Sequence, residues 1–359
     1  MMRCAIGFAT LVLAACALPP DPVAPSEDAR TGAVETGLSG WQEAVITTKS
    51  ADAWVDFLTR LAGWEVRGEA PIDDGLKVLW GLPDDVIGRE ILLANVGADS
   101  GFIRLVELEN IEQDWIRADT RPWDTGGHFD LNMRVKGLRA LREEMLVEGW
   151  QGDSEPVQFT FGPFEVVEWI VQGPDGVRLA LIERLKPELE NWPDLKTVSR
   201  AFNSTQTVAD IGAARAYYED VLGMQIYLEH VGASKAAGPN VLGLPHDIAT
   251  QVEREIYILH PDGTNDGSIE ILAFDGAAGL DLSSRASPHN IGLSVLRFPV
   301  NDLDATIEKL RDRGAVFDGL PVTVDLAVLG QTSMIALHSP EGARLELYEQ
   351  RPERLSVLP

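Results

Sequence analysis

Apolar residues recur along this chain with two spacings, every second position and every third or fourth position, in an order that repeats. The β-branched run 44–48 predicts a strand, and apolar residues at helical spacing over 51–61 predict a helix that Gly63 ends. Pro, Gly and Asp separate the apolar runs that follow. Those runs predict strands at roughly 64–68, 77–80, 88–94 and 102–107.

The same unit begins three more times. The later units start with strands at 129–135, 201–208 and 293–300 and continue with helices over 137–148, 213–222 and 303–313. Short motifs repeat as well, since the Gly-Leu-Pro of 81–83 returns at 243–245. Such self-similarity indicates an architecture built from one repeated unit. The sequence therefore predicts four modules in an α+β fold.

The length of the chain places these modules in pairs. A chain of 359 residues suits two domains rather than one. The polar, proline-bearing stretch 186–198 reads as a linker between modules two and three. We expect modules one and two to form a first domain over 41–185, and modules three and four a second domain over 199–351.

The composition is that of a folded protein with an acidic surface. Hydrophobic residues make up 45% of the chain and charged residues 24%. The formal net charge is −26, with the acidic residues spread along the chain. Nucleic acid and anionic lipid surfaces would be repelled by this charge, which argues against either as a partner.

The N-terminus predicts export. Arg3 precedes the apolar stretch 5–15, which is too short to span a bilayer. Residues 1–15 are therefore expected to be a signal peptide.

The end of this segment resembles the bacterial lipobox. Residues 13–16 read Leu-Ala-Ala-Cys, and in the lipobox the cysteine receives fatty acyl chains such as palmitate and becomes the new N-terminus. The resemblance implies that Cys16 anchors the protein in a membrane. Because Ala17 follows instead of Asp, it also implies an outer-membrane lipoprotein that faces the periplasm. The Pro- and Ala-rich residues up to Gly40 predict a flexible tether over 16–40. An ordinary signal peptide with an incidental Cys16 is the alternative.

Three segments carry a resemblance to a known family: 210–223 (DIGAARAYYEDVLG), 301–305 (NDLDA) and 340–347 (PEGARLEL). With the paired βαβββ modules, they make the chain similar, over roughly 42–350, to the vicinal oxygen chelate superfamily. That superfamily includes glyoxalase I, extradiol dioxygenases, epimerases and the fosfomycin and bleomycin resistance proteins. The resemblance implies that each pair of modules curls into a cup. It also implies a divalent metal on the floor of the cup, held by residues of the first and last strand of each module.

Strand alternation places this chain's own residues at those ligand positions. In the second half they are Asn203, Glu270, Val295 and Glu346, and in the first half Glu43, Arg104, Asp130 and Ala180. No histidine stands among them. In this respect the chain departs from the family, whose metal sites use His, Gln and Glu.

The second half keeps enough oxygen ligands for a metal. The resemblance implies that Asn203, Glu270 and Glu346 hold one divalent ion, with Mg²⁺ or Mn²⁺ as candidates. Glu270 and Glu346 are then also the candidate catalytic carboxylates, while Asn203, Arg297 and Tyr348 would contact a substrate. The alternative is that Arg297 or Arg344 forms salt bridges with these glutamates and no metal binds.

The first half is expected to hold no metal. Arg104 occupies a ligand position between Glu43 and Asp130, and a guanidinium pairs with a carboxylate instead of a cation. Arg104 and Arg134 could receive a carboxylate or phosphate of a substrate. A buried charge network with no ligand is the alternative.

Two functions follow from this sequence. The first is an enzyme of the lyase, isomerase or dioxygenase type with a degenerate metal site, in which a cup carboxylate holds a metal or removes a proton beside a carbonyl. The second is a lipoprotein that binds or sequesters a small anion without changing it. The sequence leaves open whether the protein is an enzyme, and which molecule it binds.

Overall fold

Four modules of the predicted kind build the molecule. The computed structural model describes residues 36–161, 164–190, 192–193 and 195–350. The strands of module one are β1 Glu43–Thr48, β2 Trp64–Pro71, β3 Ile87–Asn95 and β4 Phe102–Glu109. Those of module two are β5 Asp130–Val135, β6 Gln151–Gly152, β7 Val157–Phe161, β8 Phe164–Gln172 and β9 Arg178–Lys186. Those of module three are β10 Val198–Thr207, β11 Gln225–Gly232, β12 Glu253–His260 and β13 Ser268–Asp275. Those of module four are β14 Gly292–Val300, β15 Val322–Leu326, β16 Gly330–His338 and β17 Arg344–Glu349.

Each module carries a helix after its first strand, as predicted. These helices are α1 Ala51–Asp56, α3 Leu138–Val147, α4 Ile211–Ala216 and α5 Leu303–Asp312, and π-helical turns at Phe57–Leu61 and Tyr217–Val221 extend α1 and α4. Short 3-10 turns lie at Pro174–Gly176 and Ser283–Arg285. The carboxylate of Asp210 accepts a hydrogen bond from the backbone N–H of Ala213, and that of Asp302 from Ala305, which caps α4 and α5.

One predicted strand is wrong. Residues 77–80 belong to a fifth helix, α2 Asp74–Trp80. The carboxylate of Asp73 accepts a hydrogen bond from the N–H of Gly75 at the start of this helix, and Gly81 ends it at a φ of 64°. Its inward residues are Leu76 and Trp80, one turn apart, a spacing that a short apolar run does not distinguish from that of a strand.

The strands form two curled sheets. The outer-module sheet joins the first and last modules in the order β15-β16-β17-β14-β1-β4-β3-β2. The inner-module sheet joins the middle modules in the order β11-β12-β13-β10-β5-β9-β8-β6, and β7 pairs with β8. We call the concave faces the outer-module cup and the inner-module cup. The predicted α+β fold with four modules in two cups is confirmed.

The predicted partners within each cup are wrong. Modules one and two do not share a sheet, because β1 pairs antiparallel with β14, with Glu43 opposite Arg297. In the other sheet β10 pairs antiparallel with β5, with Asn203 opposite Asn132. The stretch 186–198 thus links β9 to β10, two strands that flank β5 within one sheet. Because all four modules share one pattern, the sequence does not state which two meet.

The helix that follows the first strand of each module packs on a convex face, where one continuous apolar core joins the two sheets. Trp54 of α1 meets Trp150, which follows α3, edge to face with ring centroids 5.6 Å apart. Such an aromatic contact couples module one to module two although their strands lie in different sheets.

The predicted tether ends earlier than expected. Residues 1–35, which include the predicted signal peptide and Cys16, lie outside the described residues. Residues 36–40 are packed on the folded body, since Leu38 is buried and bridges to Val300. Within the described ranges, no helix is both long and apolar enough to cross a membrane.

Candidate functional site

Each cup is partly filled by a segment of its own chain. In the outer-module cup, Leu76 and Trp80 of α2 pack with Leu82 on Val295 and Tyr348 of the sheet. In the inner-module cup, a segment over 240–252 takes the corresponding place. It packs Leu242, Leu244, Ala249 and Val252 against Phe129, Ile170, Ala180 and Leu272. The repeated Gly-Leu-Pro motif lies in both filling segments.

A buried chain of ion pairs covers the floor of the outer-module cup. Arg104 binds both carboxylate oxygens of Glu43 at 2.7 and 2.8 Å. Arg297 bridges Glu43 at 2.7 Å and Glu346 at 2.9 Å, and the Nε of Arg344 lies 3.0 Å from Glu346. Arg104, Arg297 and Glu346 are each 0% exposed. Two guanidiniums thus hold each carboxylate, which is the alternative interpretation of Glu346 given above.

The filling helix completes this network. The indole Nε1 of Trp80 donates a hydrogen bond to Glu346 at 2.8 Å. Glu90 forms an ion pair with Arg104, with Oε2 of Glu90 3.1 Å from Nη1 of Arg104. The hydroxyl of Tyr348 donates a hydrogen bond to the side-chain oxygen of Gln42. Burial disfavours the charge of Glu346, yet Arg297 and Arg344 hold its pKa below the ordinary value.

This floor does not fit a metal or a substrate. Arginines neutralise Glu43 and Glu346, the two glutamates at the expected ligand positions. A cation bound there would therefore have guanidiniums as its neighbours. The residues expected to bind substrate in this cup, Arg104, Arg297 and Tyr348, lie buried beneath the filling helix.

The predicted metal ligands do not come together. Asn203 and Glu270 lie on β10 and β13 of the inner-module sheet, whereas Glu346 lies on β17 of the outer-module sheet. The expected site of Asn203, Glu270 and Glu346 is therefore wrong, because modules three and four do not share a cup. For the same reason Asp130 and Arg134 do not lie beside Arg104.

The inner-module cup collects other polar residues on its floor. Asp130, Thr205 and Glu270 lie side by side on β5, β10 and β13, since Thr205 pairs with both of the others. In the neighbouring row, the amide of Asn132 donates a hydrogen bond to the Oδ1 of Asn203 at 2.8 Å. It also lies 3.2 Å from Asp130 and from Thr205.

Three carboxyl groups face one another in this cup. Glu168 of β8 joins Asp130 and Glu270, and none of the three forms an ion pair with a described residue. Burial raises the pKa of Asp130 to about 6, against hydrogen bonds from Thr205 that lower it. Burial and the charge of Asp130 raise the pKa of Glu168 to about 7. Burial, Asp130 and Glu168 raise the pKa of Glu270 to about 8.

The inner-module floor lacks a free set of ligands for the divalent metal that the family resemblance implies. Asp130, Asn203 and Glu270 offer the hard oxygen ligands that Mg²⁺ and Mn²⁺ prefer. However, Asn203 already accepts from Asn132 and donates to Ser268 at 2.7 Å, and the fourth position holds Ala180. Across the part of the chain that the structure describes, no group of three or more His, Cys, Asp and Glu residues is arranged to hold a metal ion. In this arrangement the floor does not fit a metal.

Sequence reasoning missed Glu168 and Arg184. Glu168 lies on the same face of β8 as Val166 and Ile170. A charged residue among apolar ones on one strand face is the sequence signal that could have identified it. Arg184 lies near the end of β9, two residues beyond Ile182 on the cup face. Arg134, which was predicted, lies diagonally across from it.

Comparisons with known proteins agree with this architecture. Residues 201–347 match the family model of the Glyoxalase/Bleomycin resistance protein/Dioxygenase superfamily. No curated protein sequence matches the chain. Glyoxalase I from Zea mays superposes with a TM-score of 0.55 at 15% identity, over 87% of this chain and 92% of that one.

Two further solved structures give the same result. A single-residue mutant of the maize protein superposes with a TM-score of 0.56 at 16% identity, over 87% of this chain and 92% of that one. A putative dioxygenase from Bacillus subtilis superposes with a TM-score of 0.51 at 13% identity, over 88% of this chain and 86% of that one. At these identities the likeness concerns the fold.

Proposed function

We propose that the inner-module cup binds a small organic molecule and moves a proton on it, and the match of residues 201–347 to the Glyoxalase/Bleomycin resistance protein/Dioxygenase superfamily model supports this proposal. The reaction class is that of an isomerase or lyase acting beside a carbonyl group. The inner-module cup is the active site, and the outer-module cup is a structural core.

The contrast between the two floors carries this proposal. In the outer-module cup, arginines neutralise Glu43 and Glu346, which are 1% and 0% exposed. In the inner-module cup, Glu168 and Glu270 are partly exposed and have no arginine within ion-pair distance among the described residues. Carboxyl groups that are kept close together and form no ion pair are typical of acid–base sites.

The environments of the carboxyl groups assign their roles. Glu270, with a pKa raised to about 8, is mostly protonated at neutral pH and acts as the acid. Glu168, with a pKa raised to about 7, is partly ionised and acts as the base. Asp130 is 2% exposed and lies behind them, where its charge raises the pKa of both.

The proton transfers balance without another reactant. The carboxylate of Glu168 takes a proton from the carbon next to the carbonyl, while Glu270 gives its proton to the carbonyl oxygen, which yields an enol. With an α-hydroxy carbonyl compound this product is an enediol. The protonated Glu168 then gives its proton to the former carbonyl carbon while the ionised Glu270 takes the proton of the neighbouring hydroxyl, which completes an isomerisation. In a lyase reaction, the ionised Glu270 instead takes back the enol proton as the leaving group departs with the proton of Glu168.

Proton exchange tests this function before the substrate is known. Small α-hydroxy carbonyl compounds are incubated with the protein in D₂O, and NMR follows deuterium at the carbon next to the carbonyl. We expect exchange with the unaltered protein and a loss of about 100-fold or more in Glu168→Gln and Glu270→Gln. Glu253→Gln, an exposed position in the same sheet, is the control.

The pH dependence gives a second measurement of the same roles. Exchange should rise as Glu168 loses its proton near pH 7 and fall as Glu270 loses its own near pH 8. A rate that does not change with pH, or equal rates in the Glu270→Gln and unaltered proteins, would contradict the assignment.

Binding without reaction is the second candidate function. The segment over 240–252 that fills part of the inner-module cup favours it, because it leaves less room for a substrate to turn over. Under this function the compound binds and returns without deuterium, and the two glutamine variants bind it as the unaltered protein does.

We also propose that lipid on Cys16 holds the protein at the outer membrane, facing the periplasm. The lipobox-like residues 13–16 support this location, and the folded body begins by Thr36, which leaves residues 17–35 as the connection. Two or more acyl chains suffice for stable anchoring.

Fractionation of bacterial cells tests the anchor. The unaltered protein should sediment with membranes, and Cys16→Ser should appear in the soluble fraction because it has no thiol to acylate. Cys4→Ser, which changes the other cysteine of the chain, is the control and should still sediment. A Cys16→Ser protein that remains with the membranes would refute lipid attachment at this residue.

A further inference from the structure

One end of the inner-module cup holds two arginines on the same face. Arg134 of β5 pairs with Ile182 of β9, and Ile182 pairs with Glu168 of β8. Arg184 lies two residues beyond Ile182, so its side chain emerges on the same face in the next row, opposite Val166. The two guanidiniums are thus diagonal neighbours beside Glu168.

Neither arginine side chain has a hydrogen-bonding partner among the residues that the structure describes. Within the described ranges, neither guanidinium forms a hydrogen bond or an ion pair, and the Nε of each is buried without a partner. Arg178, on the same strand as Arg184, provides the contrast, because its Nε lies 2.8 Å from the carboxylate of Asp153. Buried donors that lack an acceptor are costly, so an acceptor from outside the chain is expected there.

Aromatic rings hold both guanidiniums in place. The Cζ of Arg134 lies 4.6 Å from the centroid of the Phe202 ring, and that of Arg184 lies 3.7 Å from the centroid of the Phe164 ring. A guanidinium stacked on a ring face keeps its N–H groups, which lie in its plane, available at the edge. The pair is therefore oriented without using its hydrogen-bond donors.

The charges around the pair favour an anion. Burial, followed by the charge of Arg184, lowers the pKa of Arg134 to about 10, so it stays charged at neutral pH. The negative group that faces Arg134 is Glu168, which is only partly ionised there. The phenol of Tyr227 also faces both arginines. Two positive groups thus lie together in a protein with a net charge of −26.

We propose that Arg134 and Arg184 bind an oxyanion, carboxylate or phosphate, on the molecule that occupies the inner-module cup. This inference rests on the proposed function only for the location of the reacting group, beside Glu168 and Glu270. The ligand is thus an organic acid with a carbonyl group a few bonds from its anionic end. Planar guanidiniums bind such oxyanions through paired hydrogen bonds.

Calorimetry with the full chain tests the subsite. The probes are pyruvate, 2-oxoglutarate, inorganic phosphate and the methyl esters of the two keto acids. We expect the acids or phosphate to bind and the esters to bind at least about tenfold more weakly, because the ester removes the charge. Arg134→Gln and Arg184→Gln should each weaken binding of the acids by about tenfold or more.

Two controls separate recognition from folding. Arg215→Gln removes an arginine that stacks 4.3 Å from the ring centroid of Tyr257 on the helical side of the sheet, and it should leave binding unchanged. Arg134→Lys keeps the charge without the paired donors and should bind with intermediate affinity. The melting temperature without ligand is measured for every variant.

The outcomes distinguish this inference from the proposed function. Acid binding that is lost in Arg134→Gln and kept in Glu270→Gln supports the subsite even if no proton exchange is found. Esters that bind as tightly as acids, equal affinities in Arg134→Gln, Arg184→Gln and the unaltered protein, or no binding of any probe would overturn it.

Discussion

At the scale of single residues, the same residue type has opposite roles in the two cups. Glu346 lies between arginines and its pKa is lowered, whereas Glu270 lies among carboxyl groups and its pKa is raised to about 8. Strand alternation was enough to predict that both point into a cup. The sequence also offered Arg297 and Arg344, of the same module, as salt-bridge partners of Glu346. It could not predict the neighbours of Glu270, because Asp130 and Glu168 come from module two.

This difference predicts opposite effects of one substitution on stability. Glu346→Gln removes the carboxylate that Arg297 and Arg344 share, which leaves each with one ion-pair partner, and should lower the free energy of unfolding by about 3–5 kcal/mol at pH 7. Glu270→Gln should raise it at pH 8.5. A carboxyl whose pKa is raised on folding stabilises the fold below its unfolded pKa of 4.5, and this contribution is lost as the pH rises through its folded pKa of about 8.

Urea unfolding at pH 5.5, 7 and 8.5 measures both effects. The gain from Glu270→Gln should grow with pH across this range, while the loss from Glu346→Gln should remain. If both variants shift the urea midpoint of unfolding in the same direction at pH 8.5, the opposite environments assigned to Glu270 and Glu346 are contradicted.

At the scale of elements, the segments that fill the cups decide which cup remains accessible. In the outer-module cup the filling segment is a helix, α2, whose Trp80 reaches the floor and hydrogen bonds to Glu346. The repeated Gly-Leu-Pro motif pointed to equivalent segments in modules one and three. The motif did not show that they fold into the cups, since short apolar runs also suit strands, as the wrong prediction at 77–80 shows.

The role of α2 as a structural element predicts a stability change without a change in function. Trp80→Phe removes one hydrogen bond to a buried carboxylate and should lower the free energy of unfolding by about 1–3 kcal/mol. Val78→Ala, on the exposed side of the same helix, should change it by less than about 0.5 kcal/mol. Chemical denaturation measures both, and ligand binding in the inner-module cup should be the same in both variants.

At the scale of the whole molecule, the two halves of the chain depend on each other. Each sheet takes one module from 41–185 and one from 199–351, so neither half contains a complete sheet. The core on the convex faces also joins residues from all four modules. A division into consecutive domains would cut through both sheets between β1 and β14 and between β5 and β10.

This pairing predicts that the halves do not fold alone. A fragment over 36–190 should show no cooperative unfolding by circular dichroism, because β1 and β5 lose their antiparallel partners. Co-expression with a second fragment over 191–350 should restore a complex that unfolds cooperatively. A monomeric 36–190 fragment that unfolds cooperatively would show that consecutive modules can pair.

The sequence by itself determined the repeated module, the α+β class and the faces of the strands, because periodicity and turn residues act over a few positions. It also predicted the ion pair of Arg104 with Glu43 that the structure shows. Only the tertiary structure decided that modules one and four share a cup and that Asn203, Glu270 and Glu346 are separated. It alone brought Glu168 beside Glu270 and Arg184 beside Arg134. The physical reason is that equivalent modules offer equivalent edges, so their pairing depends on long-range contacts that no local pattern records.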